Sequence, residues 1–135
     1  MAKAFKLSVV APDRTVYEGD VESAIVPAEL GYMGVMYGHE ASIVALKTGV
    51  VEFVDAANQR HYVSIGGGFL EVSGGSAIIL ADTAEKASDI DISRAERALE
   101  EARKALRGED TTTTSAQAMS ELERAMNRIK VAKKG

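Results

Sequence analysis

Cysteine and tryptophan are both absent from this chain of 135 residues, and only two prolines occur. The lack of cysteine excludes disulfides, thiolate metal sites and Cys nucleophiles together, and points to a reducing compartment. With aromatics at 5%, a core has to be built from Val, Ile, Leu and Ala. No run approaches the ~20 apolar residues that span a bilayer. Met1–Lys3 leads into no apolar run ending in a cleavage site, so no secretory signal is expected. A net charge of −4 argues against general nucleic-acid binding. No Walker-type phosphate loop and no Ser motif at a strand–helix elbow occurs. The two histidines, His39 and His61, fall on different β-rich segments without metal-ligand spacing, which leaves His39 as a candidate interface residue and His61 as a surface one.

The remaining composition is that of a folded protein. Apolar content of 46% with 27% charge is far from the disordered class. The charge is uneven. Residues 1–87 carry six Lys and Arg against eleven Asp and Glu, a net −5, while the remaining ten bases and nine acids give +1. Two segments with different electrostatics suggest two jobs.

Residues 5–81 read as short strands between turns. Phe5, Leu7 and Val9 alternate with Lys6 and Ser8, the period of a half-buried strand. Ala11-Pro12-Asp13-Arg14 suits a type I turn. Further β-rich runs follow at Thr15–Tyr17, Val21–Val26, Ser42–Leu46, Val50–Val54, His61–Ile65, Phe69–Val72 and Ala77–Leu80. Gly31, Gly34, Gly38, Gly49, Asn58, Gly66–Gly68 and Gly74-Gly75 separate them. Strands at this spacing predict an antiparallel β-sandwich or flattened barrel. The triple glycine reads as a bulge or a close backbone approach, because no helix follows it.

At about Ser88 the period changes. Ile92, Ala95, Ala98, Leu99, Ala102, Ala105 and Leu106 recur at helical spacing, Asp89 or Asp91 can cap the start, and Gly108 suits a C′ glycine. Thr114-x-x-Gln117 fits a capping box for a second helix, with Ala118, Met119, Leu122, Ala125, Met126 and Ile129 as its apolar face. The fold class is therefore α+β: a sandwich over 1–87 and an antiparallel two-helix hairpin over 88–135. An Ala-based seam at ~25 cal/mol per Å² offers only a few kcal/mol, so the hairpin is a plausible switch.

Three segments, in order and before a fitting hairpin, carry a family resemblance: Gly31-Tyr32-Met33-Gly34-Val35-Met36-Tyr37-Gly38-His39, Ile65-Gly66-Gly67-Gly68-Phe69-Leu70-Glu71-Val72, and Ala81-Asp82-Thr83-Ala84-Glu85 running on to Asp89-Ile90-Asp91. Across essentially the whole chain the sequence resembles the epsilon subunits of rotary F-type ATP synthases. It departs from them at Tyr32, where the family has a carboxylate near the membrane ring, and at Tyr37 and Ala41, where it has prolines. Glu29 is the nearest carboxylate, and the missing prolines imply a differently shaped loop.

The resemblance implies a non-catalytic subunit, peripheral to the membrane on the cytoplasmic face of a bacterium. Its sandwich would bind the gamma shaft and the c-ring and help couple proton or sodium flow to rotation. Glu29, Tyr32, Met33, Met36, Tyr37 and His39 are candidate interface residues; Tyr32, Met33, Met36 and Tyr37 among them form an apolar, adaptable cluster around glycines. The hairpin would move between a compact form and an extended form that reaches the alpha and beta subunits and obstructs hydrolysis. Arg124, Arg128, Lys130, Lys133 and Lys134 suit docking there, or simply a solvated helix face.

Ile90-Asp91-Ile92-Ser93-Arg94-Ala95 matches the I/L-D-x-x-R-A motif of family members that bind ATP without hydrolysing it. No cofactor is required; ATP is a candidate regulatory ligand. A hairpin turn centred near Thr111 sets Arg94 opposite Arg128, and Arg124 shares a face with Arg128. Three guanidiniums would converge on a triphosphate, with Glu85 and Asp91 taking adenine or ribose donors and Ile90 and Ala95 completing the motif. Alternatively Asp91 only caps a helix, and Arg94 pairs with Glu85 or the sandwich. Outside this family, a free-standing protein-binding sandwich is the competing reading.

Overall fold

The computed structural model describes residues 3–110 and 112–135; the expected hairpin turn at Thr111 lies outside them. Seven strands precede two helices: β1 (Phe5–Ala11), β2 (Arg14–Ala28), β3 (Gly31–Met36), β4 (Ser42–Asp55), β5 (Arg60–Ser73), β6 (Ser76–Ala81) and β7 (Ala84–Lys86), then a 3₁₀ turn over Ala87–Asp89, α1 (Ile92–Leu106) and α2 (Ser115–Ala132). The β-sandwich with a helical hairpin is the expected α+β class.

The strands run in the order β1-β6-β5-β4-β2-β3, and β1 also pairs with β2, closing a flattened barrel. Closure removes most free edges. Inside lie Leu7, Val9, Val21, Val26, Val35, Val51, Phe53, Val63, Ile65, Leu70 and Ile79, each 1% exposed or less. The aliphatic core follows from the scarcity of aromatics.

Several expected strands are joined. Thr15–Tyr17 and Val21–Val26 are parts of β2, which pairs first with β1 and then with β3 and β4. Ser42–Leu46 and Val50–Val54 form β4, and His61–Ile65 and Phe69–Val72 form β5. The glycines between them bend strands instead of ending them. Gly31–Met36, expected as a glycine loop, is a strand paired with Ser23–Ala28; its two glycines hide the period-2 pattern of Met33 and Val35.

Of the two readings of the triple glycine, close approach holds. β5 keeps the same register offset from β6 (Gly68 opposite Ala81) to β7 (Ile65 opposite Ala84), with no shift of the kind a bulge makes. A Cβ at Gly68 would lie 2.1 Å from the Leu80 carbonyl oxygen, and φ there is +140°. Only glycine fits both constraints.

The hairpin forms as its caps direct. The Asp91 carboxylate accepts from the Arg94 N–H at 3.1 Å, and Thr114 and Gln117 make the full capping box. The seam is narrower than the apolar periodicity suggests. Ala95, Ala102, Ala118 and Ala125 are at most 2% exposed, whereas Ile92, Leu106, Met119 and Met126 are 37–52% exposed. Small residues seven apart bring the helices close, and the larger side chains flank the contact.

Candidate functional site: the hairpin seat and the open sheet face

α2 lies between α1 and the barrel, resting on β4, β5 and the 3₁₀ turn. Its seat combines one apolar contact with several polar ones. Val131 is fully buried against Val50, Ala87 and Ile90, with Tyr62 and Ala132 at the edge. The Asn127 amide donates to the Gly49 carbonyl at 2.7 Å and to the Ser64 hydroxyl at 2.9 Å. Ser64 is the buried polar side chain of the barrel, so Asn127 meets a group that water cannot reach. Arg124 donates to the Gly66 carbonyl at 3.3 Å, and its Nε is buried without a partner. Arg128 Nε stands 3.4 Å from the Glu85 carboxylate on β7.

These contacts decide how the candidate nucleotide residues are arranged. Glu85 and Arg128 share a hollow with Asp13, Arg14, Asp82 and Thr83. Ile90 packs in the Val131 seat, and Ala95 is buried between the helices. Asp91 is used by its own helix, the simpler of the two expected roles, and Glu85 pairs with Arg128, not with Arg94. Arg94 is exposed on α1 and lines none of the hollow that holds Arg128. The expected convergence of three guanidiniums is therefore not formed here. Arg124 and Arg128 both reach acceptors on the barrel, the Gly66 carbonyl and the Glu85 carboxylate.

The interface candidates also separate. Glu29, Tyr32 and Met33 border one hollow beside Ile43–Ala45. Met36, Tyr37 and His39 border another, with Phe5 and Val72. They are not one cluster: the two groups border separate hollows near opposite ends of β3, with Tyr32 and Met36 53% and 59% exposed and Met33 packed against the core. The Tyr32 hydroxyl accepts from the Val50 N–H at 3.1 Å. His39 Nδ1 contacts the Glu40 carbonyl oxygen at 2.8 Å.

A surface not singled out in the sequence lies on the outer face of β4, β5 and β6. Phe69 stands between Ala45 and Leu80, and Glu71 between Ile43 and Ile78, across the strand pairs. Ile43 is 74%, Phe69 56%, Leu80 54% and Ile78 39% exposed. Four large apolar side chains around one carboxylate are left open on a closed barrel, an exposed apolar patch. The signal was present in Phe69-Leu70 and Ile78-Ile79-Leu80: in a strand, adjacent apolar residues cannot both face the core.

His61 is more than a surface residue. Its ring stacks on Phe53 at 4.8 Å and 8°, and Nε2 meets the Asp55 carboxylate at 2.8 Å.

Two adjoining family profiles match this architecture: ATP synthase, Delta/Epsilon chain, beta-sandwich domain over residues 4–87, and the long alpha-helix domain over residues 88–133. The chain belongs to the ATP synthase delta/epsilon chain family. A Staphylococcus epidermidis ATP synthase epsilon chain is 41% identical over 94% of this chain and 95% of its own. The Desulforamulus reducens epsilon chain is 33% identical over 98% and 99%. Among solved structures, a chain of the Euglena gracilis mitochondrial ATP synthase (OSCP/F1/c-ring, rotational state 1) superimposes with a TM-score of 0.78 at 26% identity. That match covers 94% of this chain and 81% of the other. A chain from the Tetrahymena thermophila mitochondrial ATP synthase central stalk and c-ring, at 12% identity and a TM-score of 0.56, shares the fold. Among the described residues, no helix is long and apolar enough to cross a membrane.

Proposed function

We propose that this chain is the epsilon subunit of an F-type ATP synthase central stalk, docked by its sandwich on the gamma shaft and the c-ring. The observation that carries the reading is the uncovered apolar face of Ile43, Phe69, Ile78 and Leu80, which is of a kind that a stable partner buries. The Met36–His39 hollow at one end of β3 extends the surface available for docking. Its role is structural and regulatory rather than catalytic, on the inner face of a bacterial membrane and peripheral to it through the complex. Adding the chain to a synthase head and shaft depleted of this subunit tests the assignment. Stoichiometric binding with reduced ATP hydrolysis is expected; absence of binding would return the chain to the class of free-standing sandwich modules.

The hairpin is the regulatory part. In its compact form α2 is held by one buried valine, one asparagine and two arginines. Contacts with the alpha and beta subunits of comparable number would compete with that seat. The basic side chains Arg124, Arg128, Lys130, Lys133 and Lys134 supply the charge for such contacts, and the extended form blocks hydrolysis.

ATP acts as a ligand of the compact form. The support is the Glu85–Arg128 pair in the hollow that also holds Arg14, beside the Ile90–Ala95 motif. Binding requires Arg94 to swing toward Arg128 and Arg124 to leave the Gly66 carbonyl, so ATP would form the convergence that the free chain lacks. Calorimetric titration of the isolated chain with ATP should give saturable binding that Arg94→Ala and Arg128→Ala each abolish. No heat up to millimolar ATP would leave a hairpin governed by subunit contacts alone.

A further inference from the structure

β2 and β4 fall out of register where Pro27 stands. Ile25 faces Glu52 and Ala28 faces Leu46, so the five residues 47–51 of β4 lie opposite only Val26 and Pro27. Proline has no N–H to offer across the ladder, and the register shift leaves Gly49 and Val50 without paired residues on β2. Both ends of that peptide are engaged by side chains from elsewhere. Its N–H donates to the Tyr32 hydroxyl of β3 at 3.1 Å. Its carbonyl accepts from the Asn127 amide of α2 at 2.7 Å. Glycine is required at 49 for this crossing: a Cβ there would stand 2.6 Å from Pro27 Cβ and 2.8 Å from the Tyr32 hydroxyl.

We propose that Tyr32 is a coupling residue: by holding the Gly49–Val50 peptide, it sets the strength with which Asn127 anchors the hairpin. This rests on the reading of the hairpin as a mobile element. An amide whose N–H is engaged is polarised and becomes a better acceptor at its carbonyl. Held at both ends, a bulge peptide also cannot rotate its carbonyl away from Asn127. Tyr32 is half exposed beside the β2–β3 turn, whose Leu30 is fully exposed. A partner gripping that turn therefore shifts the Tyr32 ring, and the loss of its hydroxyl contact is felt at α2, with no element of the barrel unfolding. One peptide group is thus biased by two surfaces, which is the physical content of coupling between sites.

The absence of cysteine permits a direct test on the full chain. Spin labels at Ser73→Cys and Ser120→Cys, both exposed positions, report the docked and undocked hairpin as a distance distribution. Tyr32→Phe keeps the ring and removes the hydroxyl. Because the Tyr32–Val50 bond is present in both hairpin states, only its polarising effect on the Asn127 contact shifts the balance, and the undocked fraction should rise up to about twofold. Gly49→Ala, which displaces the hydroxyl sterically, should act in the same direction. Tyr32→Phe added to Asn127→Ala should give no further change, because the two act through one peptide. Wild-type distributions in Tyr32→Phe and Gly49→Ala, with Asn127→Ala undocked, would overturn the coupling and leave the mobile hairpin standing. If Val131→Asp, which destroys the apolar seat, also leaves the distance unchanged, the mobile hairpin itself is refuted, and the coupling with it.

Discussion

Asp55 shows how much one side chain can organise. One carboxylate oxygen accepts from the Ala57 and Gln59 N–H groups at 2.9 Å each, closing the β4–β5 turn, and the other meets His61 at 2.8 Å. The hydrogen bond from His61, then those from the backbone, hold the Asp55 carboxyl below its ordinary value. A depressed folded-state pKa means that the carboxylate favours the native state above about pH 4, and that this contribution is lost as pH falls through the lower, folded value. Asn at 55 keeps an acceptor for the turn but cannot ionise. Asp55→Asn should therefore flatten the acid limb of a plot of Tm against pH relative to wild type; parallel limbs would show that the carboxylate charge contributes nothing. Gly68 is limiting for a different reason. With φ at +140° and the Leu80 carbonyl in the space of a Cβ, Gly68→Ala should cost about 3 kcal/mol or more, read from the urea midpoint at unchanged m-value.

Among the elements, α2 is the one whose two halves have separate duties. Its first turn is fixed by Thr114 and Gln117, and its second half carries Asn127, Arg128 and Val131 into the seat. Thr114→Ala should cost about 1 kcal/mol and speed amide exchange over 115–118 roughly fivefold, leaving β4 and β5 as they were. Exchange raised equally over 127–131 would mean that the helix responds as one unit. The capped helices were legible in the sequence because caps are local: Asp91, Thr114 and Gly108 act within one turn of their own positions. The barrel was legible as a class, yet its strands were too short in the sequence reading, since Gly49 and Gly66–Gly68 look like breaks until their partners are known. The seat was illegible. Asn127 is an ordinary polar helix residue until Gly49 and Ser64, more than sixty positions away in sequence, are brought beside it. The arginines misled for the same reason: spacing gives a shared face for Arg124 and Arg128, but not the Gly66 carbonyl and Glu85 that capture them.

Taken as an assembly part, the chain presents opposed surfaces. The hairpin covers the barrel near Gly49, Ser64 and Gly66, whereas Ile43, Phe69, Ile78 and Leu80 remain open on the outer sheet face. Large apolar groups turned outward contribute little to the folding of a closed barrel, about 0.2–1 kcal/mol for a cross-strand pair such as Phe69 and Leu80. Their value lies in binding, where aromatic and aliphatic anchors near the centre of an interface dominate the energy. Phe69→Thr combined with Leu80→Thr removes two large apolar groups at directly facing positions and keeps strand formers there. The doubly substituted chain should melt close to the wild type, yet bind the proposed gamma partner about a hundredfold more weakly in calorimetry, since each lost anchor is worth about 1–2 kcal/mol. Retained affinity would move the docking surface to the Met36–His39 end of β3. In that case the outer face would need another occupant, and the departures at Tyr37 and Ala41 from the family pattern would bear directly on the proposed docking to a shaft.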